Sequence, residues 1–427
     1  MKKYNILVFP CGNENAKEVL NSLAPYEEFN VIGGSSEETI GSLLFNQTIT
    51  ELPYINDVNF INQLSKFIEL YSIDFIIPTH DFVVEILAVN QDKLLAHCIV
   101  PNTNAAIIIS DKFKTYKTFA CYDFCPKIYE NIPNTGYPIF AKKRVGRLAE
   151  GAQIIKDKNE ANMFFKSNNI TDYLISEYLD GKEYSVECFT NRNGELKFCE
   201  GREVSKQVRG LFLNSSSPEN VESFRTIAET INRVLELRGL WYFQIKHCKG
   251  RPKLLEIAQK PNNTMALLRA KGVNLVLLTL LDILGLLELN SNKIPTYQSL
   301  EIYSKRQFIN YFELNMEYNK IFFNLDTVFK HDKSKNLALI NFIYQNKYKN
   351  KKNVGFSPRR QTKEILDNYN ICESLFSELY DKELDYSGLT KDTIIIDDNI
   401  DNRSTYVFKG VVTFDTSCIE MLIDYRR

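Results

Sequence analysis

Histidine is scarce in this chain: the four residues, at positions 80, 97, 247 and 331 of 427, are too dispersed to suggest a triad. Neither Gly-x-Ser-x-Gly nor His-Glu-x-x-His occurs, so no nucleophile or zinc-protease motif is offered. Net charge is nearly absent as well. Lys plus Arg (52) almost equals Asp plus Glu (53), so no global field draws the chain to nucleic acid or an anionic membrane. Any polyanion it binds is then small and local. Paired cysteine spacing is missing: nine cysteines run from Cys11 to Cys418, which suits reduced thiols in a cytoplasm. Cys121 and Cys125 stand four apart, as on one helix face, but no second Cys or His pair follows at zinc-like distance, and both read as buried apolar thiols. The most apolar stretch, Val273 to Leu289, is interrupted by Asn274 and Asp282 and reads as a buried core helix, without membrane insertion. No charged leader precedes the strand-like Tyr4 to Phe9, so the expected location is cytoplasmic.

What the chain has is apolar bulk. A hydrophobic fraction of 44%, with 28 Phe and 23 Tyr, is that of a folded protein, and the length calls for three or four units of roughly 100 to 150 residues. Residues 4 to about 110 alternate apolar strands with amphipathic helices: Ile6 to Phe9, Ala16 to Leu23, Asn30 to Gly33, Phe60 to Tyr71, then Asp74 to Pro78. That alternation predicts a parallel sheet wound by helices. Pro10-Cys11-Gly12-Asn13 and Pro78-Thr79-His80-Asp81 put small and polar groups at carboxyl ends of strands, where open α/β sheets bind ligands; for His80 and Asp81, a helix cap and a substrate contact weigh equally. From about 111 the pattern turns β-rich, with Asn193-Gly194 as a hairpin signal, and a polar stretch at Leu289 to Tyr297 closes it. Beyond about 303 a second α/β pattern begins, with Lys347 to Asn353 as a basic exposed connector.

Four features of the middle section combine into one nucleotide site. Ser110-Asp111-Lys112 opens a helix, and the strand Tyr137 to Lys142 delivers a second lysine; two ammonium groups suit phosphates. The stretch Gly146 to Gly151 is a loop whose backbone N–H groups close over them. Leu174 to Glu183 reads as strand, hinge and strand: the hinge offers free backbone groups to an adenine edge, and Glu183 suits ribose hydroxyls. Trp241 to Lys246 and Leu254 to Ile257 read as antiparallel strands around Gly250, with Gln244 and Glu256 as oxygen ligands for magnesium. Taken singly, the pair is equally a solvated sheet face.

In this order the segments resemble the ATP-grasp family, in particular its carbamoyl-phosphate-synthase-like branch, over residues 1 to about 300. Phe9-Pro10-Cys11-Gly12, the Gly34-Ser35-Ser36 turn and Ile76 to Asp81 are similar to that branch too. The resemblance implies an α/β and α+β multidomain chain: a Rossmann-like pre-ATP-grasp domain (1–110), an ATP-grasp domain (111–302) and a further α/β domain (303–427). It implies Lys112 and Lys142 on phosphates, Glu177 and Leu179 at adenine through their backbone, Glu183 on ribose, and Gln244 with Glu256 on the metal. ATP and Mg2+ are then the cofactors, and a small-molecule carboxylate and an amine the substrates; a homo-oligomer stays open. Departures stand beside it. The family's Glu-x-Asn element is Glu256-Ile257-Ala258 here, and its arginine is Lys260, which keeps the charge without the planar fork. Asn262 or Asn263 is the candidate replacement for the lost amide. Leu148 stands where a small residue is customary in the phosphate loop. Arg202 is the anion clamp of choice, ahead of Arg209. The chemistry implied is phosphorylation of a carboxylate to an acyl phosphate that a nucleophile displaces, with Arg202 and Lys260 as charge-stabilising catalytic groups.

Residues 320 to 427 resemble a haloacid-dehalogenase-type (HAD-type) fold, through the strands Ile321 to Leu325, Val354 to Ser357 and Thr393 to Ile396, the last ending in Asp397-Asp398. That family's Asp-x-Asp reads Asn324-Leu325-Asp326 here, and an amide does not attack phosphorus as a carboxylate does. Phosphatase chemistry is therefore not expected. A residual metal or phosphate site at Asp326, Asp397 and Asp398 is weighed against a structural module, which is preferred. The fused architecture resembles proteins of bacterial surface-polysaccharide gene clusters. A catalytically inactive nucleotide-binding or scaffolding protein is the alternative to a ligase.

Overall fold

The computed structural model describes residues 3–146, 151–204, 214–215, 221–248, 250–287, 294, 303–304, 316–329, 336–385 and 389–424. Contacts divide the chain into two units, Met1–Gln307 and Phe308–Tyr425. The first begins with five parallel strands, β1 (Tyr4–Phe9), β2 (Phe29–Gly34), β3 (Gln47–Ile49), β4 (Phe75–Pro78) and β5 (His97–Cys98), in the order β3-β2-β1-β4-β5. Its centre is the run Ile6-Leu7-Val8, fully buried, as a strand in mid-sheet requires. Helices α1 (Glu14–Leu23), α2 (Phe60–Leu70) and α3 (Asp81–Val89) connect these strands. The strand order reverses between β1 and β4. There Asn13 caps α1 and donates to Thr79 Oγ1 at 2.9 Å, Thr79 donates to the Pro10 carbonyl at 2.6 Å, and His80 caps α3, its Nδ1 accepting from the Phe82 N–H at 3.3 Å. His80 thus serves as the cap, leaving Asp81 to face the crevice.

Helices α4 (Thr103–Ile109) and α5 (Lys112–Thr118) lead to a three-stranded antiparallel sheet, order β7-β6-β8, of β6 (Ile139–Lys143), β7 (Gln153–Ile155) and β8 (Tyr173–Glu177), with α6 (Lys158–Ser167) between its last two strands. A four-stranded antiparallel sheet follows in the order β10-β9-β12-β13, made of β9 (Glu183–Thr190), β10 (Leu196–Glu203), β12 (Gly239–Cys248) and β13 (Arg251–Ala258). The short β11 (Asn214–Ser215) pairs with β14 (Tyr303–Ser304). One face of the four-stranded sheet carries Val186, Cys188, Trp241, Phe243 and Ile245 against Phe224, Ile227 and Ile231 of α7 (Val221–Leu235). The other face is polar. Helices α8 (Met265–Ala270) and α9 (Leu275–Ile283) complete the described part of the unit. α9 is the buried helix expected at Val273 to Leu289, and no helix among the described residues is long and apolar enough to cross a membrane. Cys121 and Cys125 lie beyond the end of α5 rather than on a helix. Cys125 is buried but Cys121 is exposed, which corrects the reading of both as buried thiols.

The second unit is a five-stranded parallel sheet, order β17-β16-β15-β18-β19, of β15 (Lys320–Asn324), β16 (Lys352–Phe356), β17 (Glu378–Tyr380), β18 (Thr393–Ile396) and β19 (Val412–Phe414). Its helices are α10 (Leu325–Val328), α11 (Leu337–Tyr348), α12 (Thr362–Asn368), α13 (Ile400–Phe408) and α14 (Ile419–Leu422). The basic stretch Lys347 to Asn353 is not a connector throughout. It ends α11 and starts β16, and Asn353 is buried, donating to the carbonyls of Ile343 (2.8 Å) and Leu375 (3.0 Å).

Candidate functional site

Antiparallel register decides which side chains meet on the polar face of the four-stranded sheet, because directly opposed residues point the same way. Gln244 on β12 lies opposite Glu256 on β13 and Ser185 on β9. One row along, Tyr242 lies opposite Ala258 and Glu187; on the other side, Lys246 lies opposite Glu183. The oxygen pair expected for magnesium is thus formed. A bulge breaks the β12–β13 ladder between Gln244 and Ile245, leaving Leu255 without an opposed residue. Its carbonyl accepts from Lys142 Nζ at 3.0 Å, while Tyr116 OH donates to the Leu254 carbonyl at 2.7 Å and lies 3.2 Å from the same ammonium.

Lys142 is a strained cation. Burial depresses its pKa to about 8, and Lys112 and Lys246 push the same way while Glu256 and Glu183 oppose. Burial likewise raises the Glu183 carboxyl, with Glu256 adding to the shift and Lys246 and Lys142 offsetting it. The five charged groups therefore feel one another in one neighbourhood. Lys112 begins α5, whose cap Asp111 accepts from the Phe113 N–H at 2.9 Å and is gripped by Arg144 at 2.5 and 3.1 Å. From there Lys112 Nζ donates to the Gly146 carbonyl at 2.9 Å, at the entrance of the glycine loop. Arg147 to Glu150, with Leu148 among them, lie outside the described residues, as does Arg209. Asp81, Glu85, Lys112, Gly146, Glu256 and Ala258 line one cleft.

The hinge is set by a glycine. A Cβ at Gly181 would lie 1.2 Å from the His247 carbonyl oxygen, so only glycine lets the chain cross β12 between β8 and β9. Glu177, at the end of β8, has its N–H on the Lys127 carbonyl (2.9 Å) and its carboxylate on the Lys127 N–H (2.9 Å), with Lys253 Nζ at 3.6 Å. Its backbone carbonyl accepts from Ser176 Oγ at 3.3 Å. Leu179 is buried two residues further on.

Arg202 and Lys260 differ from expectation in their company. Arg202 is 2% exposed and places one terminal nitrogen 2.5 Å from Glu187 Oε1 and on Thr264 Oγ1, so part of the anion clamp is spent inside the protein. Its Nε and other terminal nitrogen, and Oε2 of the fully buried Glu187, lack partners among the described residues. Unpaired buried donors of a guanidinium are costly and fit an anion that completes them. Lys260 lies 3.3 Å from Tyr242 OH and 3.5 Å from Asp81 Oδ1. Asn262 does not replace the lost amide: its Oδ1 accepts from the N–H groups of Thr264 (2.9 Å) and Met265 (3.0 Å) and from Thr264 Oγ1 (2.5 Å). Asn263 donates through its amide nitrogen to Glu14 at 2.9 Å. Glu187 and Tyr242 were missed by sequence reasoning. Their signal was present as the alternations Glu183-x-Ser185-x-Glu187 and Tyr242-x-Gln244-x-Lys246, which mark one polar face.

In the second unit the carboxylates after β15 and β18 are already satisfied. Asp397 is fully buried and its two oxygens accept from Asn324 (2.7 Å), Thr327 (2.8 Å), Tyr406 (2.9 Å), Asn402 (3.0 Å) and the Asn399 N–H (2.8 Å). Asp398 accepts from the Thr416 N–H (2.7 Å) and hydroxyl (2.9 Å), and Asp326 pairs with Arg360 at 2.9 Å. Ser357 holds the Arg360 carbonyl at 2.6 Å. These groups do not fit a residual metal site, because magnesium needs free oxygen lone pairs. Among the described residues of the whole chain, no three His, Cys, Asp and Glu side chains group as a metal site.

Residues 169–305 match the family model described as "ATP-grasp in the biosynthetic pathway with Ter operon". No curated protein sequence matches the chain. Among solved structures it is similar to the biotin carboxylase domain of the Hydrogenobacter thermophilus 2-oxoglutarate carboxylase, in complex with MgADP, ADP and bicarbonate, at TM-score 0.57 and 14% identity over 69% of this chain and 72% of that one. It is similar to the ADP complex of N5-carboxyaminoimidazole synthetase from Staphylococcus aureus, at TM-score 0.56 and 17% identity over 69% and 81%. A third is the L-amino acid ligase from Bacillus licheniformis, at TM-score 0.54 and 15% identity over 66% and 74%. Fold and matched segment agree: this chain carries an ATP-grasp domain.

Proposed function

We propose that the chain is an ATP-dependent ligase that activates a carboxylate as an acyl phosphate for attack by an amine or similar nucleophile. The observation that carries this reading is the convergence of Lys112, Lys142, Glu183 and Glu256 in one electrostatic neighbourhood, beside the Gln244–Glu256 pair. In this reading Lys112 and Lys142 bind phosphates, the backbone of Glu177 and Leu179 binds adenine, and Glu183 binds ribose. Gln244 and Glu256 are hard oxygen donors that suit Mg2+ sharing its remaining positions with phosphate and water. Mg2+ there would neutralise phosphate charge as the phosphoryl group transfers. Arg202 offers its unpaired nitrogens to the substrate carboxylate, and Lys260 adds a fixed positive charge. The structural relatives are themselves named as carboxylases, a synthetase and an amino acid ligase, which supports the reaction class.

The finer reading assigns residues 1–110 to a Rossmann-like substrate-contacting domain, 111–302 to the ATP-grasp domain of the carbamoyl-phosphate-synthase-like branch, and 303–427 to a HAD-like domain without phosphatase chemistry, in a cytoplasmic protein of surface-polysaccharide synthesis. The central-strand order β17-β16-β15-β18-β19 and Asn324 support the last domain assignment. Ala258 favours a second reading, a nucleotide-binding protein without turnover. Calorimetry of Mg2+-dependent ATP binding by the wild type, Lys142→Ala and Glu256→Ala tests the site, and ADP release with pooled carboxylates and amines tests turnover. Binding lost in both variants with substrate-dependent ADP supports the ligase; binding without ADP supports the second reading; no wild-type binding refutes the nucleotide site.

A further inference from the structure

We infer that the nucleotide site takes one divalent cation per bound nucleotide, and that the Lys260 ammonium supplies the second positive charge on the phosphates. This rests on the nucleotide reading above and deepens it. Residues of β13 and its continuation meet the polar face in the sequence Glu256, Ala258, Lys260. The first row offers two oxygen donors, Glu256 and Gln244. The second offers a methyl group, Ala258, opposite the Tyr242 phenol. Its remaining carboxylate, Glu187, is fully buried and has Arg202 at 2.5 Å, Ser185 Oγ at 2.9 Å and Thr264 Oγ1 at 3.1 Å on a single oxygen. A divalent ion in that row would find one open oxygen, Glu187 Oε2, beside a guanidinium, which is not a ligand set. The asparagines downstream do not repair the row, since Asn262 Oδ1 accepts from the backbone N–H groups of Thr264 and Met265 and Asn263 is held to Glu14 through its amide nitrogen.

What the row has instead is a cation held in place. Lys260 Nζ lies 3.3 Å from Tyr242 OH, 5.7 Å from the centre of the same ring and 3.5 Å from Asp81 Oδ1. Asp81 in turn lines the cleft together with Lys112, Glu256 and Ala258. An ammonium has three donors, and the phenol and the carboxylate engage two of them, leaving one for a phosphate oxygen. Phosphoryl transfer needs neutralisation of the charge on the equatorial oxygens, which a metal ion or a fixed lysine supplies by the same electrostatics. Arginine in this position would have brought a planar fork, whereas lysine brings a compact point charge, the property that a divalent ion also has.

The test is equilibrium dialysis of the full chain against Mn2+ and adenylyl imidodiphosphate, counting bound nucleotide by radiolabel and bound Mn2+ by electron paramagnetic resonance. The wild type is expected to bind one Mn2+ per nucleotide. Lys260→Met is expected to weaken nucleotide binding at least about tenfold with the ratio still at one, and Ala258→Asn to raise the ratio toward two. Two Mn2+ per nucleotide in the wild type overturns the inference and leaves the ligase reading intact, as does a Lys260→Met variant of unchanged affinity. Absence of nucleotide binding by the wild type overturns both. Because the wild-type ratio needs no substitution, the decision does not depend on either variant folding.

Discussion

The depressed Lys142 ammonium makes nucleotide affinity depend on pH in a calculable way. In the free protein its pKa is about 8, against an ordinary 10.5, because burial penalises the charge and Lys112 adds to the penalty. Phosphate beside it returns the pKa toward the ordinary value, so binding takes up a proton above pH 8. At pH 9.5 only about 3% of free sites carry the ammonium while about 90% of complexes do, and affinity is expected to be about 30-fold weaker than at pH 7. Isothermal titration of an ATP analogue across that range reads this out, and Lys142→Arg, which keeps its charge throughout, isolates the group by flattening the profile. An affinity that changes less than threefold from pH 7 to 9.5, or a profile that Lys142→Arg leaves unaltered, would refute the placement of Lys142 on phosphate. Stability of the ligand-free protein runs in the opposite direction. The unfolded chain holds this proton up to about pH 10.5 and the fold releases it at about 8, so the fold gains stability as pH rises between them, on the order of 3 kcal/mol.

Three further outcomes follow from buried groups and one hinge. Arg202→Met strands the fully buried Glu187 carboxylate and should destabilise the first unit by about 3 to 5 kcal/mol, whereas adding Glu187→Leu should restore more than half of the loss; denaturant unfolding followed by Trp241, the sole tryptophan and a buried one, measures both. Gly181→Ala must displace the hinge from the His247 carbonyl, so nucleotide affinity should fall by about tenfold or more, and unchanged binding would show that the hinge does not hold adenine. Asn324→Asp places a second carboxylate where the amide lies 2.7 Å from buried Asp397. One of the two acids then titrates above its unfolded value, giving a deficit of about 3 kcal/mol at pH 8 that shrinks as the pH falls through that raised pKa. The same variant should show no hydrolysis of p-nitrophenyl phosphate, and a pH-independent deficit would contradict the account.

Much of the fold was legible because apolar runs and turn signals announce themselves: Ile6 to Phe9 as a strand, Asn193-Gly194 as the turn between β9 and β10, and Val273 to Leu289 as a core helix. Edge strands of two or three residues, such as Gln47–Ile49 and His97–Cys98, have too few positions to show a period. The Gln244–Glu256 pairing was legible because two strands around a glycine turn nearly determine their own register. The bulge beside it was not, since one extra residue has no compositional mark, yet that bulge is what frees the Leu255 carbonyl for Lys142. The contact of Lys260 with Asp81 joins two regions far apart in sequence and depends on how the polar sheet face meets the helix capped by His80.

Two strand-borne carboxylates, Glu256 and Asp397, separate by a criterion that residue type alone does not contain. Glu256 and Asp397 both follow apolar stretches of strand, and each suggested a metal ligand. Glu256 is half-buried and lines an open cleft with Lys112, and no described residue hydrogen-bonds its carboxylate, which leaves its lone pairs open to the cation of the proposed reading. Asp397 accepts from five internal donors, one of them the amide of Asn324, which stands where the resemblance expects a carboxylate. Its charge is therefore used to organise β15, β18 and α13. A strand-borne acidic residue suits a cation only where its lone pairs remain free, a condition that Glu256 meets and Asp397 does not.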